Sequence, residues 1–288
     1  MHSIHEKAGV LIEALPYIRL FFGKTVVIKL GGSAMTRAGQ CDSLAQDIVL
    51  LRYIGLNPVV VHGGGPEISA FMERLGLKPR FVNGRRVTDE STMEVVEMVL
   101  CGKLNKEIVS LLNKHGGKAV GLSGKDGNLI LARKDKNQEL GQVGEVAEIH
   151  PEVIKVMCRE GFIPVIAPVA QDENGVSYNI NADIVAGHLA PAVGADKLIM
   201  LTDVEGILRE QGDPASLIST LTIEEAREML ESGKADRGMI PKLEGCIAAL
   251  SGGVPRAHII DGRVPHALLL EIFTNKGIGT MVIGGQGR

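Results

Sequence analysis

VVVHGGGPEIS, residues 59–69, packs a buried-strand signature, three glycines and a helix start into one short segment. Val59–Val61 is a continuous β-branched run, as expected of a strand covered on both faces. Pro66 stands where proline opens a helix, since its missing N–H would have no partner there anyway. Between them, Gly63, Gly64 and Gly65 leave backbone N–H groups unshielded. A nest of amides leading into a helix N-terminus suits an anion. One glycine normally suffices for a tight turn, so a purely structural turn accounts poorly for three. His62 reads as a structural hydrogen-bonding group, with no proton-transfer role.

The same rhythm recurs along the chain. Aliphatic runs lie at 25–30 (TVVIKL), 58–61, 118–122, 163–168, 197–202 (KLIMLT), 257–260 and 280–284, and helical patterns lie at 41–54, 66–75, 89–114, 151–160, 182–190, 222–232 and 242–250. Strands alternating with helices predict a mostly parallel sheet in a layered α/β fold. Residues 124–148 break the rhythm and read as a small antiparallel hairpin region, a candidate lid or substrate wall. The remainder divides into two lobes, 23–170 and 171–288, with no low-complexity linker between them.

Residues 1–22 precede the first strand and read as a separate helix. Leu11, Leu15, Ile18 and Phe22 recur at helical spacing, and Pro16 interrupts the pattern and predicts a kink. Such a helix either packs on its own core or reaches another subunit.

Composition narrows the function. Of 288 residues, 45% are hydrophobic, aromatics are 3% and Trp is absent, so the core is built from Val, Ile, Leu, Ala and Met. The net charge of −3, with signs interspersed, suggests no nucleic-acid groove. Cys41, Cys101, Cys158 and Cys246 form no CxxC pair, which indicates neither a zinc site nor a disulfide framework. No run reaches membrane-spanning length and no signal peptide is recognisable, so a cytoplasmic location is expected.

Five further stretches carry candidate chemistry. In IKLGGSAM (28–35) a strand ends in Lys29, and Gly31 and Gly32 open the turn. Ligands of open α/β sheets bind beyond the carboxyl ends of strands, where Lys29 would offer a point charge to a phosphoryl group. A strand-end turn with a solvated lysine fits the same residues. In VNGRRVTD (82–89), Arg85 and Arg86 follow a turn, and one pointing inward would fork onto a carboxylate. A solvated pair is the alternative. In YNINADIVAGHLA (178–190), Asn179, Asn181 and Asp183 alternate, which on an extended segment aims all three one way. Asp183 would hold a lysine, take part in Mg²⁺ binding or cap the helix. In LTDVEGIL (201–208), Asp203 and Gly206 follow a strong strand as a nucleotide loop would. GMIPKLEG (238–245) puts Lys242 near a helix N-terminus, a place unfavourable for a cation unless an anion is nearby. No GxxxxGK[ST], GxGxxG or GxSxG pattern is met, so any phosphate site uses another design.

Taken together, KLGG (29–32), HGGGP (62–66), NGRRVT (83–88), NINAD (179–183), LTDVEG (201–206), GMIPKLE (238–244) and GGVPRAHIIDGR (252–263) resemble the amino acid kinase family, most closely its N-acetylglutamate kinase branch. The resemblance covers nearly the whole chain. It implies an open αβα sandwich around a mainly parallel sheet, with N-acetyl-L-glutamate bound in the N-terminal lobe and ATP in the C-terminal lobe. Mg²⁺ would be held mainly by the nucleotide phosphates, with no dedicated protein metal site. By the same resemblance Lys29 and Lys242 are the catalytic lysines and Asp183 organises them. Gly32, Gly64 and Gly65 supply amides, with Gly31 beside them. Arg86 and Asn179 bind the substrate, Asn181 lies close by, and Asp203 and Gly206 line the nucleotide side. No general base is implied, because a carboxylate is already an ionised nucleophile.

ALPYI (14–18) and HALLLEIFTNKGIGTMV (266–282) resemble the arginine-inhibited members of that branch, in which the extra helix interlaces dimers into a hexamer. Tyr17, Lys197, His266, Glu271 and Gly279 are the positions carried over for L-arginine. A solvated helical Glu271 is the alternative. Kinases of free glutamate or aspartate, and a non-catalytic sensor of small molecules, are the rival functions.

Overall fold

The computed structural model describes residues 4–31, 38–210, 212–274 and 277–284. Its elements in chain order are α1 (Ile4–Phe21), β1 (Thr25–Leu30), α2 (Ala38–Tyr53), β2 (Asn57–His62), α3 (Gly65–Arg74), β3 (Phe81–Val82), β4 (Arg85–Arg86), α4 (Glu90–Glu97), a π-helical segment (Met98–Leu104) and α5 (Asn105–Lys114). Next come β5 (Ala119–Ser123), β6 (Ile130–Lys134), β7 (Gly144–Ile149), α6 (Glu152–Arg159), β8 (Ile163–Ala167), β9 (Val169–Gln171), β10 (Ser177–Asn179) and α7 (Ala182–Ala192). The chain ends with β11 (Lys197–Thr202), β12 (Thr220–Thr222), α8 (Ile223–Glu231), α9 (Ile240–Ser251), β13 (Arg256–Asp261), α10 (Ala267–Phe273) and β14 (Gly279–Ile283).

Eight strands form one sheet in the order β12-β14-β13-β11-β1-β2-β8-β5. Every pairing is parallel except β13 with β14. Strand alternation sorts the side chains between the two faces. Val26, Ile28 and Leu30 pack with Leu44, Ile48, Ile108, Leu112 and Leu268, under α2, α5 and α10. Val27, Val59 and Met200 pack on the other face with Ile154, Val185, Leu189, Ala226, Leu243 and Cys246, from α6, α7, α8 and α9. The result is the expected three-layer α/β sandwich. Lys29 follows the parity of Val27, so it points to the α7/α9 side.

Residues 124–148 are the expected hairpin region. β6 and β7 pair antiparallel, and β9 and β10 extend them into a four-stranded sheet of order β10-β9-β6-β7. β3 and β4 form a separate hairpin, whose turn residues Asn83 (φ 50) and Gly84 (φ 80) both have the positive φ of tight hairpin turns. Residues 89–114 differ from the single helix expected, because the middle of the run winds with π geometry.

The N-terminal helix runs as one element with Pro16 inside it. It leaves Ile12 and Leu20 68% and 64% exposed, so much of its apolar surface faces away from the core of its own chain. It is anchored near its end, where the Lys197 ammonium stands 5.0 Å above the Phe21 ring and Tyr17 meets Phe273 edge to face. Among the described residues no helix is long and apolar enough to cross a membrane.

Candidate active site

The glycine turn after β2 opens a cleft of about 270 Å³ at the carboxyl ends of β1 and β2, bordered by Lys29, Gly63–Gly65, Arg86, Asn179, Asn181 and Asp183. Both Lys29 and Asp183 are buried, with 6% and 3% exposure, which excludes the solvated-lysine reading. Lys29 Nζ lies 2.7 Å from Asp183 Oδ1, and Lys242 Nζ lies 3.2 Å from Oδ2 of the same carboxylate. Burial alone would raise the Asp183 carboxyl, but the charges of Lys29 and then Lys242 outweigh it and hold it below the usual carboxylate range. One carboxylate thus fixes two ammonium groups from opposite ends of the chain. They carry one net positive charge into a cleft rimmed by amides.

Asp183 does not cap α7. That role belongs to Asn181, whose side-chain oxygen accepts from the N–H groups of Asp183 (2.8 Å) and Ile184 (3.4 Å). The alternating reading of Asn179, Asn181 and Asp183 therefore holds only as far as Asn181, because the chain turns helical at Ala182. All three still border the cleft. Asn179 Nδ2 donates to Thr88 Oγ1 at 3.3 Å.

The two arginines part ways. Arg85 also borders the cleft, but its guanidinium is taken up by the buried Asp135 at 2.5 Å. Arg86 is buried and held from behind: its Nη2 donates to Gly65 O and to Ser69 Oγ, both at 2.8 Å, and its guanidinium lies 4.8 Å from the Phe81 ring. Ser69 and Phe81 gave no sequence signal, since each acquires meaning only through the fold.

Gly64 leaves no room for a side chain: an added Cβ would stand 2.4 Å from Leu104 and 2.6 Å from Leu100. At Gly31 a Cβ would stand 2.9 Å from Leu201 O, where β1 leaves the sheet beside β11. Gly32 lies outside the described residues. Asp203 and Gly206 border a second cleft of about 370 Å³ beyond β11, together with Met229, Lys234, Met239 and Arg263. Among the described residues no group of three or more His, Cys, Asp or Glu side chains converges to hold a metal ion.

A second buried cluster joins α1, β11, β13 and α10. Lys197 and Glu271 are both buried. Burial lowers the Lys197 ammonium, although Glu271 opposes the shift. Burial would raise Glu271, but a 2.6 Å contact between its Oε1 and His258 Nδ1 helps to hold it below its usual range. Tyr17 stands at the same end through Phe273. Gly279 has no space for a Cβ, which would lie 2.2 Å from Ile259 O. His266 stands apart from these at the start of α10, with its Nδ1 2.6 Å from the buried Asp47. His258 and Asp47 were not anticipated, and their partners lie too far along the chain for spacing to reveal them.

Residues 24–261 match the amino acid kinase family. The chain is 57% identical over 289 residues to the acetylglutamate kinase of Heliobacterium modesticaldum, covering 96% of this chain and 98% of that one. It is 59% identical to the acetylglutamate kinase of Thermoanaerobacter pseudethanolicus, covering 96% and 93%. The chain belongs to the amino acid kinase family.

Among solved structures, N-acetylglutamate synthase of Neisseria gonorrhoeae, in complex with coenzyme A and N-acetyl-glutamate, superposes with a TM-score of 0.85 at 27% identity. That match covers 99% of this amino acid kinase and 65% of the synthase chain. A second complex of the synthase, with coenzyme A and L-arginine, superposes with a TM-score of 0.80. The family match and the relatives at 57% and 59% identity make this chain a phosphotransferase.

Proposed function

We propose that this kinase transfers the γ-phosphoryl of ATP to the γ-carboxylate of N-acetyl-L-glutamate, giving N-acetyl-L-glutamyl 5-phosphate and ADP in the second step of arginine biosynthesis. The observation that carries the reading is the Asp183 carboxylate with one lysine on each oxygen, set beside a glycine nest and a buried arginine. A carboxylate oxygen attacks the γ-phosphorus, the bond to the bridging oxygen breaks, and ADP leaves with that electron pair. No proton moves, because the nucleophile is already ionised. The remaining tasks are aligning two anions and neutralising charge on the moving phosphoryl.

Lys29 and Lys242 take the charge task and Asp183 holds them. The N–H groups of Gly64 and Gly65 meet the phosphoryl and γ-carboxylate oxygens, with the Gly32 N–H as a further donor, while the Gly31 N–H is held by Leu201 O at 3.0 Å. Arg86 and Asn179 hold the α-carboxylate and backbone of the substrate, with Asn181 alongside. Residues 23–170 then form the acceptor lobe and 171–288 the nucleotide lobe, where Asp203 and Gly206 border the ATP site. Mg²⁺ would be held mainly by the nucleotide phosphates and would supply neutralisation of their charge. The names of the relatives, at 57% and 59% identity, favour N-acetylglutamate over free glutamate or aspartate.

L-Arginine is the proposed inhibitor, held near Lys197, Glu271, Tyr17, His266 and Gly279. Support comes from the buried carboxylate of Glu271, from the exposed apolar face of α1 beside it, and from the arginine complex of the synthase. That exposed face also supports a hexamer in which α1 links dimers. The deciding assay is ADP release with N-acetylglutamate or free glutamate, with and without L-arginine. Turnover with N-acetylglutamate that arginine suppresses is expected. Turnover with glutamate alone would overturn the substrate assignment.

A further inference from the structure

The glycine nest is wired to the helical layer behind it. Asn105, the first residue of α5, is 1% exposed and lies where the π-helical segment ends. Its Nδ2 lies 2.9 Å from Val165 O, 3.2 Å from His62 Nε2 and 3.4 Å from Leu122 O. Its Oδ1 accepts from Lys106 Nζ at 3.1 Å. An ammonium on one side and two carbonyls on the other fix which way this amide is turned. His62 Nε2 is therefore an acceptor, and a neutral imidazole with Nε2 bare carries its proton on Nδ1. That nitrogen lies 2.9 Å from Gly63 O. Burial lowers the imidazole to about 4, so the ring stays neutral near neutral pH.

The direction of this bond has a consequence in the cleft. The described chain has no cis peptide, and in a planar trans peptide the C=O and the following N–H point opposite ways. Drawing the Gly63 carbonyl toward His62 turns the Gly64 N–H away from it. The Gly63 N–H, in the preceding peptide, donates to Leu30 O at 3.0 Å, so the plane before this one is fixed as well. Among the described residues the Gly64 N–H meets no acceptor. The fold also reserves space for the relay: a Cβ at Gly121 would stand 1.8 Å from Asn105 Oδ1.

We propose that Asn105 and His62 are positioning residues, a two-link relay that sets the tautomer of one ring and through it aims the Gly64 N–H into the cleft. This rests on the reading above, in which that N–H meets the reacting carboxylate or phosphoryl. His62 touches neither. It acts through a peptide plane, and Asn105 acts through His62.

The test pairs three variants of the full-length chain with nitrogen-15 spectra of the wild-type imidazoles. His62→Asn keeps an N–H donor at the Nδ1 position, His62→Gln moves the amide toward Asn105, and His62→Leu keeps bulk alone. His62→Leu and His62→Gln are expected to lose about ten- to a hundredfold in kcat, somewhat less than deletion of an oxyanion donor, with the KM for ATP within about threefold. His62→Asn should recover most of kcat even where its melting temperature is no higher than that of His62→Gln, an outcome that a packing role would not give. One wild-type imidazole should appear as the Nδ1–H tautomer, unchanged from about pH 5.5 to about pH 8. Turnover of His62→Leu within about twofold of wild type, no advantage of His62→Asn over His62→Gln, or an Nε2–H tautomer would each overturn the relay. If the variants do not fold, the tautomer still decides. Failure of the wild type to use N-acetylglutamate would instead count against the substrate assignment, and the tautomer result would stand.

Discussion

Gly187 of α7 and Gly245 of α9 meet backbone to backbone: a Cβ on Gly187 would stand 2.4 Å from Gly245 O and 2.6 Å from its Cα. A Cβ on Gly245 would stand 2.4 Å from Asp183 O. Glycine permits this close approach, which no other residue allows. Asp183 lies one turn before Gly187, and Lys242 lies three residues before Gly245. The crossing of the two helices is thus what brings Lys242 onto the Asp183 carboxylate.

Gly245→Ala should separate the helices and loosen the Lys242 contact without altering any charged group. Overpacking of this kind costs about 1–3 kcal/mol of stability. Kcat should fall more than substrate KM rises. Steady-state kinetics alongside thermal melting checks this, and a variant that melts earlier but turns over normally would show that the crossing serves stability alone.

Lys29→Ala and Lys242→Ala should each lower kcat by about a hundred- to a thousandfold, with modest changes in either KM, because a charge that acts on the moving phosphoryl is felt mainly in the transition state. Each change leaves Asp183 buried with a single partner, and because Lys29 makes the shorter and more buried of the two contacts, Lys29→Ala should melt earlier than Lys242→Ala. Unchanged turnover in either variant would remove that lysine from its proposed task.

Arg86→Ala should raise the KM for the acidic substrate about ten- to a hundredfold, the range of a charged hydrogen bond, and leave the KM for ATP near wild type. Arg86→Lys should not rescue it. The carbonyl of Gly65 and the hydroxyl of Ser69 hold a planar fork, which an ammonium cannot replace. A change confined to the KM for ATP would place Arg86 on the nucleotide instead.

Asp47 gives a pH signature. Burial pushes its carboxyl up to about 6, although His266 opposes the shift. The folded protein therefore holds this proton more tightly than the unfolded chain does. That contribution to stability is complete below about pH 4 and is lost as pH rises through 4–6. Asp47→Asn removes the loss, so from pH 4 to pH 7 the wild type should become less stable relative to the variant by on the order of 2 kcal/mol. Calorimetry at several pH values measures it. A relative gain by the wild type over that window would mean that the charged Asp47–His266 pair outweighs burial.

Deleting residues 1–22 removes the cation–π contact of Lys197 with Phe21 and the edge contact of Tyr17 with Phe273. The shortened chain should keep its kcat, require more arginine for inhibition and scatter light as a dimer. A hexamer that survives the deletion would refute the linking role of α1.

The central sheet was legible because each long strand is a continuous aliphatic run, which period and glycine boundaries mark well. β12 was not, since Thr220–Thr222 is a three-residue edge with no pattern to read. The π-helical segment was invisible within 89–114, because its apolar residues keep a near-helical spacing and only the backbone winding changes. In the cleft, Lys29 and the glycines stood out as costly residue types at strand ends. The roles of Asn105, Asp47 and His258 come from contacts across the fold. His62 and Asn105 are 43 positions apart and Asp47 and His266 are 219 apart, so no local pattern encodes either pair.

The central place of β1 sets an order of events for a chain made from its N-terminus. One side of β1 pairs with β2 soon after both emerge, but the other side waits for β11, which begins only at Lys197. Until then a mostly apolar strand presents an open edge, the state in which chains most readily stick to one another. Contacts so distant in sequence also form slowly. The nascent N-terminal half already carries Lys29, Arg86 and the glycine nest, but neither Asp183 nor Lys242. A ribosome stalled near the middle of this message would thus display Lys29 without its Asp183 counter-charge, and a sheet edge in need of a chaperone.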